Sequence, residues 1–312
     1  MKKTRLKASA DSLDLAVAYI EPESSPRGIV QLVHGMCEHK ERYYPFMEYL
    51  ASEGYVCVIH DHRGHGESVK SPEDLGYMYK GGWRALVEDI EVVRRWSEEK
   101  WPGLERTLFG HSMGSMAVRS YVKRYDDRIN RLIVCGSPSA NPVAGVGKLM
   151  ADISGLICGW HHRPQLLQKI SFGAYNKPFA DEGYASAWVC SDRDTLEAYH
   201  SDPLCQYVFT ANGFSNLMGL MKDCYSKKGW QVRNSDLPIY FISGELDPCR
   251  GSDEQHEASV DLMYAVGYLV VSSEIFRGMR HEILNETDRR AVWSRITDYL
   301  EEDRGQAFWN RK

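Results

Sequence analysis

The pentapeptide Gly110-His111-Ser112-Met113-Gly114 constrains this chain most, because it joins a short apolar run to a helical pattern with no loop between them. Thr107-Leu108-Phe109 reads as a buried strand. From Met113 to Tyr125, apolar Met113, Met116, Ala117 and Tyr121 recur at three- and four-residue steps, the period of a helix. A serine at so tight a strand-to-helix turn is forced into strained backbone, with its hydroxyl exposed. Glycines two positions to either side let neighbouring chain approach closely. The next amide, that of Met113, falls at a helix N-terminus, where negative charge is favoured.

Strand and helix signals alternate on both sides of this turn. Strands are expected at 14–20, 28–34, 55–60, 106–110, 131–136, 238–243 and 267–272, and helices at 42–53, 82–100, 113–125, 254–266 and 286–303. Runs such as Ile29-Val30-Gln31-Leu32-Val33 are almost continuously apolar, as strands covered on both faces should be. The expected fold class is therefore α/β, a mostly parallel sheet flanked by helices. Between about 139 and 236 the alternation stops, and prolines, glycines and aromatics dominate without a clear strand. That is too long for a loop. The expected organisation is a core in two parts, 1–138 and 237–312, interrupted by a mainly helical cap at 139–236.

The 312 residues carry a net charge of −5 from 38 basic and 43 acidic side chains, mixed along the chain. No basic stripe suits nucleic acid. The N-terminal Met-Lys-Lys-Thr-Arg-Leu-Lys lacks the apolar stretch of a secretory signal, and no apolar run is long enough to span a bilayer. The eight cysteines are scattered and form no Cys-x-x-Cys pair, which suits reduced thiols in a cytoplasmic protein. Nothing calls for a cofactor or a metal. The three histidines of His60-Asp61-His62-Arg63-Gly64-His65 read as part of a reversing loop that Asp61 and Arg63 would fix.

In an open α/β sheet, reactive groups gather at the carboxyl ends of the strands. Ser112 follows one such end, Asp247 follows Ile239–Gly244, and His281 follows the last strand. The order Ser, Asp, His is that of α/β-hydrolases. Ser112 would attack a carbonyl, His281 would take its proton, and Asp247 would orient the imidazole. Glu245 and Asp253 are the lesser candidates for the acid. The backbone amides of Met113 and of Met36, in the loop after an early strand, would form the oxyanion hole.

Three segments, His34-Gly35-Met36-Cys37-Glu38-His39-Lys40-Glu41-Arg42-Tyr43, His60–Ser68 and Gly110–Gly114, resemble the monoacylglycerol lipase and lysophospholipase-like group of α/β-hydrolases. The resemblance covers roughly 28–138 and 237–300. It implies the same triad and oxyanion amides, with Glu38 and Arg42 near the glycerol end of the substrate. Cys37 departs from it, since the family usually has glycine there. The implied reaction is cofactor-free cleavage of a single-chain acyl ester, a small-molecule substrate. Amide cleavage is the alternative, and would need an acid such as Asp181, Glu182, Asp192 or Asp194 to hold an amine. A non-catalytic binding protein is a third reading. Phe179, Tyr207 and Phe214 are candidates to line an acyl pocket, or else form a core of the cap. The cap could touch a membrane surface, although no basic amphipathic helix argues for it. Phe308 and Trp309 could dock or stay loose. Oligomeric state is open.

Overall fold

In the computed structural model the described residues are 1–184 and 186–302, so Phe308 and Trp309 lie outside them. Eight strands form one sheet: β1 Lys2–Lys7, β2 Asp14–Ile20, β3 Gly28–Val33, β4 Tyr55–His60, β5 Arg106–His111, β6 Arg131–Cys135, β7 Ile239–Gly244 and β8 Val271–Phe276. Their order across the sheet is β1-β2-β4-β3-β5-β6-β7-β8. The first two pairings are antiparallel and the remaining five are parallel. Every residue of β3 to β7 is buried, which explains their unbroken apolar reading.

The helices are α1 Tyr44–Ser52, α2 Gly82–Lys100, α3 Met113–Tyr125, α4 Ala144–Cys158, α5 Gln165–Phe172, α6 Arg193–Ser201, α7 Ala211–Tyr225, α8 Asp253–Val266 and α9 Arg289–Glu301. One hydrophobic cluster joins α2 and α3 to the β5–β7 region, with Leu86, Met116, Leu132 and Phe241 all buried. A second, with Phe46, Phe109, Ile133 and Trp293, packs α1 and α9 on the opposite face. Each such side chain contributes about 1.5–3 kcal/mol by leaving water.

Three expectations need correction. The strand expected at 267–272 forms at Val271–Phe276. Gly267, at φ 118°, ends α8, and its N–H bonds the carbonyls of Met263 and Tyr264. The apolar run after it leads into the sheet rather than lying in it. β1 was missed because Lys-Lys-Thr-Arg-Leu-Lys is mostly charged and only Thr4 and Leu6 are partly covered, as in a solvated edge strand. The helix expected at 42–53 begins as a 3-10 turn, Lys40–Tyr43, and becomes α-helical at Tyr44, with Pro45 in its first turn.

Between β6 and β7 the described chain is helical, from α4 to α7. Helix α7 seats this stretch on the core, where Asn212 Oδ1 accepts the Met78 N–H at 2.8 Å and Asn216 Oδ1 the Trp83 N–H at 2.9 Å.

Candidate active site

Ser112 sits between β5 and α3 at φ 54°, ψ −118°, a backbone region that costs a non-glycine residue about 1–3 kcal/mol. Its surroundings hold it there. Its N–H bonds the Cys135 carbonyl at 3.0 Å, and its own carbonyl accepts the Ser115 N–H at 2.9 Å and the Ser115 hydroxyl at 2.6 Å. A methyl group on Gly114 would lie 2.1 Å from the Val33 carbonyl oxygen, and one on Gly110 would lie 2.5 Å from the Gly114 carbonyl oxygen. Both glycines are therefore needed for close approach. Met113, as the first helical residue, has an amide with no acceptor inside the helix.

His281 Nδ1 and Asp247 Oδ2 are 2.9 Å apart in a buried pair. Asp247 Oδ1 accepts the Cys249 N–H at 2.8 Å, so both carboxylate oxygens are held. An ionised Asp247 makes Nδ1 the donor and leaves Nε2 free to act as a base. Glu245 instead accepts the Gly278 N–H at 2.8 Å, and exposed Asp253 pairs with Arg250 at 2.5 Å. The turns carrying Asp247 and His281 touch, since a methyl on Gly244 would lie 2.1 Å from the Arg280 carbonyl oxygen.

Ser112, Met113, Met36 and His281 line one cavity of about 850 Å³, closed on its other side by residues of the helical segment, including Phe172, Trp188 and Met218. That volume suits a small organic ligand. The Trp188 ring is 5.1 Å from that of His281. Of the five candidate substrate contacts, Glu38 and Tyr207 line the cavity and Arg42, Phe179 and Phe214 do not. Phe214 is fully buried on the core-facing side of α7. Phe179 lies under the Arg280 guanidinium at 4.2 Å. Arg42 forks onto Glu282 at 2.5 and 2.6 Å and lies 4.9 Å over Tyr199.

Glu38 lines the cavity wall with its charge already engaged. Its carboxylate accepts from the Gly35 amide, from Tyr43 Oη at 2.9 Å and from Arg42 at 3.2 Å, and faces His111 Nδ1 at 3.2 Å. Burial raises its pKa, but the His111 bond, the charges of His111 and Arg42, and the Gly35 amide outweigh burial and bring it to about 2. Cys37 adopts a left-handed φ of 53°, the conformation that glycine takes without strain, and its thiol donates to the Tyr207 carbonyl at 3.3 Å. Burial pushes that thiol well up, so it stays neutral.

Sequence reading missed Arg280, Trp188 and Glu282. The Arg280 guanidinium donates to the Ala187 carbonyl at 2.6 Å and the Cys190 carbonyl at 3.1 Å, and also binds Glu182. A charged residue next to a candidate catalytic histidine was the available signal, but its partners are about ninety positions upstream.

Among the described residues, two sets of three ligand atoms lie within 4.8 Å of one another, His39–Asp202–Cys205 and Asp247–Cys249–His281. In each the histidine is already bonded to the aspartate, at 2.7 and 2.9 Å, and burial raises the thiol pKa. The histidines of the 60–68 loop are not among these sets. Asp61 there accepts the Lys40 and Glu67 amides at 2.8 Å and Lys40 Nζ at 2.7 Å, while Arg63 meets Asp89 at 2.8 Å.

A family model described as "Serine aminopeptidase, S33" (Hydrolase_4) matches residues 24–288. A monoacylglycerol lipase of Mycolicibacterium smegmatis is 25% identical over 283 residues, 89% of this chain and 90% of that protein. A thermostable carboxyl esterase from Bacillus coagulans, solved in complex with glycerol, superposes with a TM-score of 0.86 at 24% identity, over 96% of this chain and 97% of the esterase. A soluble variant of monoglyceride lipase from Saccharomyces cerevisiae, in complex with a substrate analogue, gives 0.72 at 17% identity, over 96% and 94%.

Proposed function

Because this chain belongs to the serine aminopeptidase S33 family of α/β-hydrolases, we propose that it is a serine hydrolase of single-chain acyl esters, monoacylglycerols or lysophospholipids, acting through Ser112, His281 and Asp247. The observation that carries this reading is the strained Ser112 opening on the same cavity as the buried His281–Asp247 pair. Ser112 Oγ attacks the ester carbonyl as His281 Nε2 takes its proton. The oxyanion forms against the Met36 and Met113 amides, and collapse expels the alcohol, protonated by His281. Water, deprotonated by the same ring, then frees the acid. The segment 139–236 serves as a cap, and its Phe172, Tyr207 and Met218 receive the acyl chain.

Ester rather than amide cleavage is supported by the acids near the site. None of Asp181, Glu182, Asp192 and Asp194 lines the cavity, so none is placed to hold a substrate amine there. Glu182 is engaged by Arg280, and Asp192 caps α6 through the Thr195 N–H at 2.9 Å.

The surface of the cap supports contact with a lipid layer. Helix α4 packs on α7 with one side and turns Val146, Leu149, Ile153, Leu156 and Ile157 outward, the last two 76% and 78% exposed. On α5, Leu166 and Ile170 are exposed while Gln168 and Phe172 line the cavity. A patch this apolar beside the mouth of an acyl pocket suits insertion into a lipid interface that holds the substrate. No described helix is long and apolar enough to cross a membrane. The eight free cysteines, seven of them buried, are compatible with a cytoplasmic location.

The test is hydrolysis of 4-nitrophenyl esters from acetate to palmitate by the protein and by Ser112→Ala. A preference for medium or long chains with a loss of about 10⁴-fold or more in the variant is expected. Turnover that does not depend on Ser112 would overturn the reading. Leu156→Ser with Ile157→Ser should lower activity on monoacylglycerol in vesicles and leave soluble esters untouched.

A further inference from the structure

Glu38, Arg42, His111 and Glu282 form a closed set of charges beside the proposed active site. Glu38, His111 and Glu282 are 3%, 4% and 5% exposed, and the Arg42 side chain 10%. Two carboxylates and one guanidinium leave one negative charge uncompensated in a buried place. His111 faces this set through one nitrogen and the base through the other. Nδ1 lies 3.2 Å from Glu38 Oε1, and Nε2 lies 3.2 Å from the backbone carbonyl oxygen of His281. A carboxylate that already receives three donors, and a carbonyl, offer only lone pairs. Each of these two bonds therefore needs a proton on the ring nitrogen that makes it.

We propose that His111 is held as an imidazolium, the second cation of a neutral buried quartet, and that it positions the base by donating from both nitrogens at once. One bond fixes Glu38, which grips the Gly35 amide at the root of the oxyanion loop. The other fixes the main chain of His281. Arg42 closes the ring by gripping Glu282, the next residue. A single cation thus ties the serine turn, the oxyanion loop and the histidine loop together.

The groups facing the ring are few. Glu38 and Tyr43 come from the segment after β3, with the Tyr43 ring 6.5 Å away. The His281 ring is 4.7 Å away, with Glu282 behind it. From β6 the ladder neighbour is Cys135, whose thiol burial keeps neutral. Burial alone would lower the pKa of His111, but the bond to Glu38 and the charges of Glu38 and Glu282 outweigh it, for a net rise above 6.5. An unfolded histidine is also charged below that value, so the contribution of His111 is full on the acid side. It is lost as pH rises through the folded value.

The protonation state can be read directly in protein labelled with ring-¹⁵N histidine, with His111 assigned by its disappearance in His111→Gln. Both nitrogens should carry protons at about pH 8, where an ordinary histidine is neutral. One bare nitrogen there overturns the proposal. Glu282→Gln removes one negative charge, so the ring should give up its proton at lower pH than in the unaltered protein. The alkaline decline of kcat/KM on a soluble ester should move with it, through kcat rather than KM. A decline that ignores the titration of the ring overturns the positioning role. Should Glu282→Gln fold poorly, the spectrum of the unaltered protein still decides the protonation. The kinetic half rests on the Ser112–His281 reading and the spectroscopic half does not. An inactive protein with a doubly protonated His111 would therefore refute that reading alone.

Discussion

The structure buries two groups of histidines, and the two groups differ in what faces them. At the carboxyl ends of β3 and β4 lie His34, His60, His62 and His65, with successive rings 4.3–5.9 Å apart. At the end of β5 lies His111, with His281 packed against it. All six rings are buried. In the first, His34 Nδ1 meets the Gly35 carbonyl at 2.8 Å while Nε2 accepts the His62 N–H at 2.9 Å, one donor and one acceptor. That pattern requires a neutral ring. The carboxylate nearest in sequence, Asp61, is taken by Lys40 and two amides. Burial, the largest cause, holds His60 and His65 at about 4. In the second group, a carboxylate faces one nitrogen of each ring. Burial by itself makes a histidine neutral, and at His111 the committed Glu38 carboxylate reverses the outcome.

The contrast breaks hardest at the pair with its own dedicated acid. Asp247→Asn should lower kcat on a soluble ester about 10⁴-fold, by favouring the wrong tautomer of His281, with the fold intact by circular dichroism. Glu38→Gln should convert the charged group towards the neutral one. Removing one partner of a buried charged network costs about 3–5 kcal/mol, readable as a fall in the urea midpoint near pH 7. The smallest effect belongs to the neutral group and appears only in acid. A folded-state value near 4 against 6.5 unfolded means that stability is full above 6.5 and falls as the unfolded chain takes up a proton that the native ring refuses. The loss is on the order of 3 kcal/mol per histidine by about pH 4. Neither ring nitrogen of His60 has a hydrogen-bond partner among the described residues. His60→Leu should therefore change stability at pH 7 by about 1 kcal/mol or less and move the acid-unfolding midpoint to lower pH.

What was legible in the sequence follows from locality. Gly110–Gly114 carries its own geometry, because a strand, a strained residue and a helix must fit within a few positions. The strand end before Asp247 was legible for the same reason, while the strand before His281 was expected at 267–272 and forms at Val271–Phe276. Phe179 and Phe214 were not, because helical spacing shows that a face is apolar and not what meets it. Phe214 turns into the core, and Phe179 lies beneath Arg280. Arg42 and Glu282, 240 positions apart in the chain, are bound side by side, a contact no local pattern announces. Cys37 shows the limit of motif matching. It keeps the left-handed turn that glycine would favour and adds a bond to the cap through Tyr207.

The main chain of the histidine loop is also stitched to the helical segment between β6 and β7. Glu282 N–H bonds the Val189 carbonyl at 2.8 Å, His281 N–H bonds the Trp188 carbonyl at 3.5 Å, and Arg280 grips the carbonyls on either side. In mechanical terms this margin is a seam. Parting it would strip the bonds that hold residues 280–282 in place. Helix α5 has a wall of the cavity on one side and exposed leucine and isoleucine on the other. Just before α5 the chain is tied to the core as well, with His161 Nε2 2.8 Å from Asp74 and Arg163 donating to the Glu73 carbonyl at 2.9 Å, so the walls around His281 are pinned at more than one place.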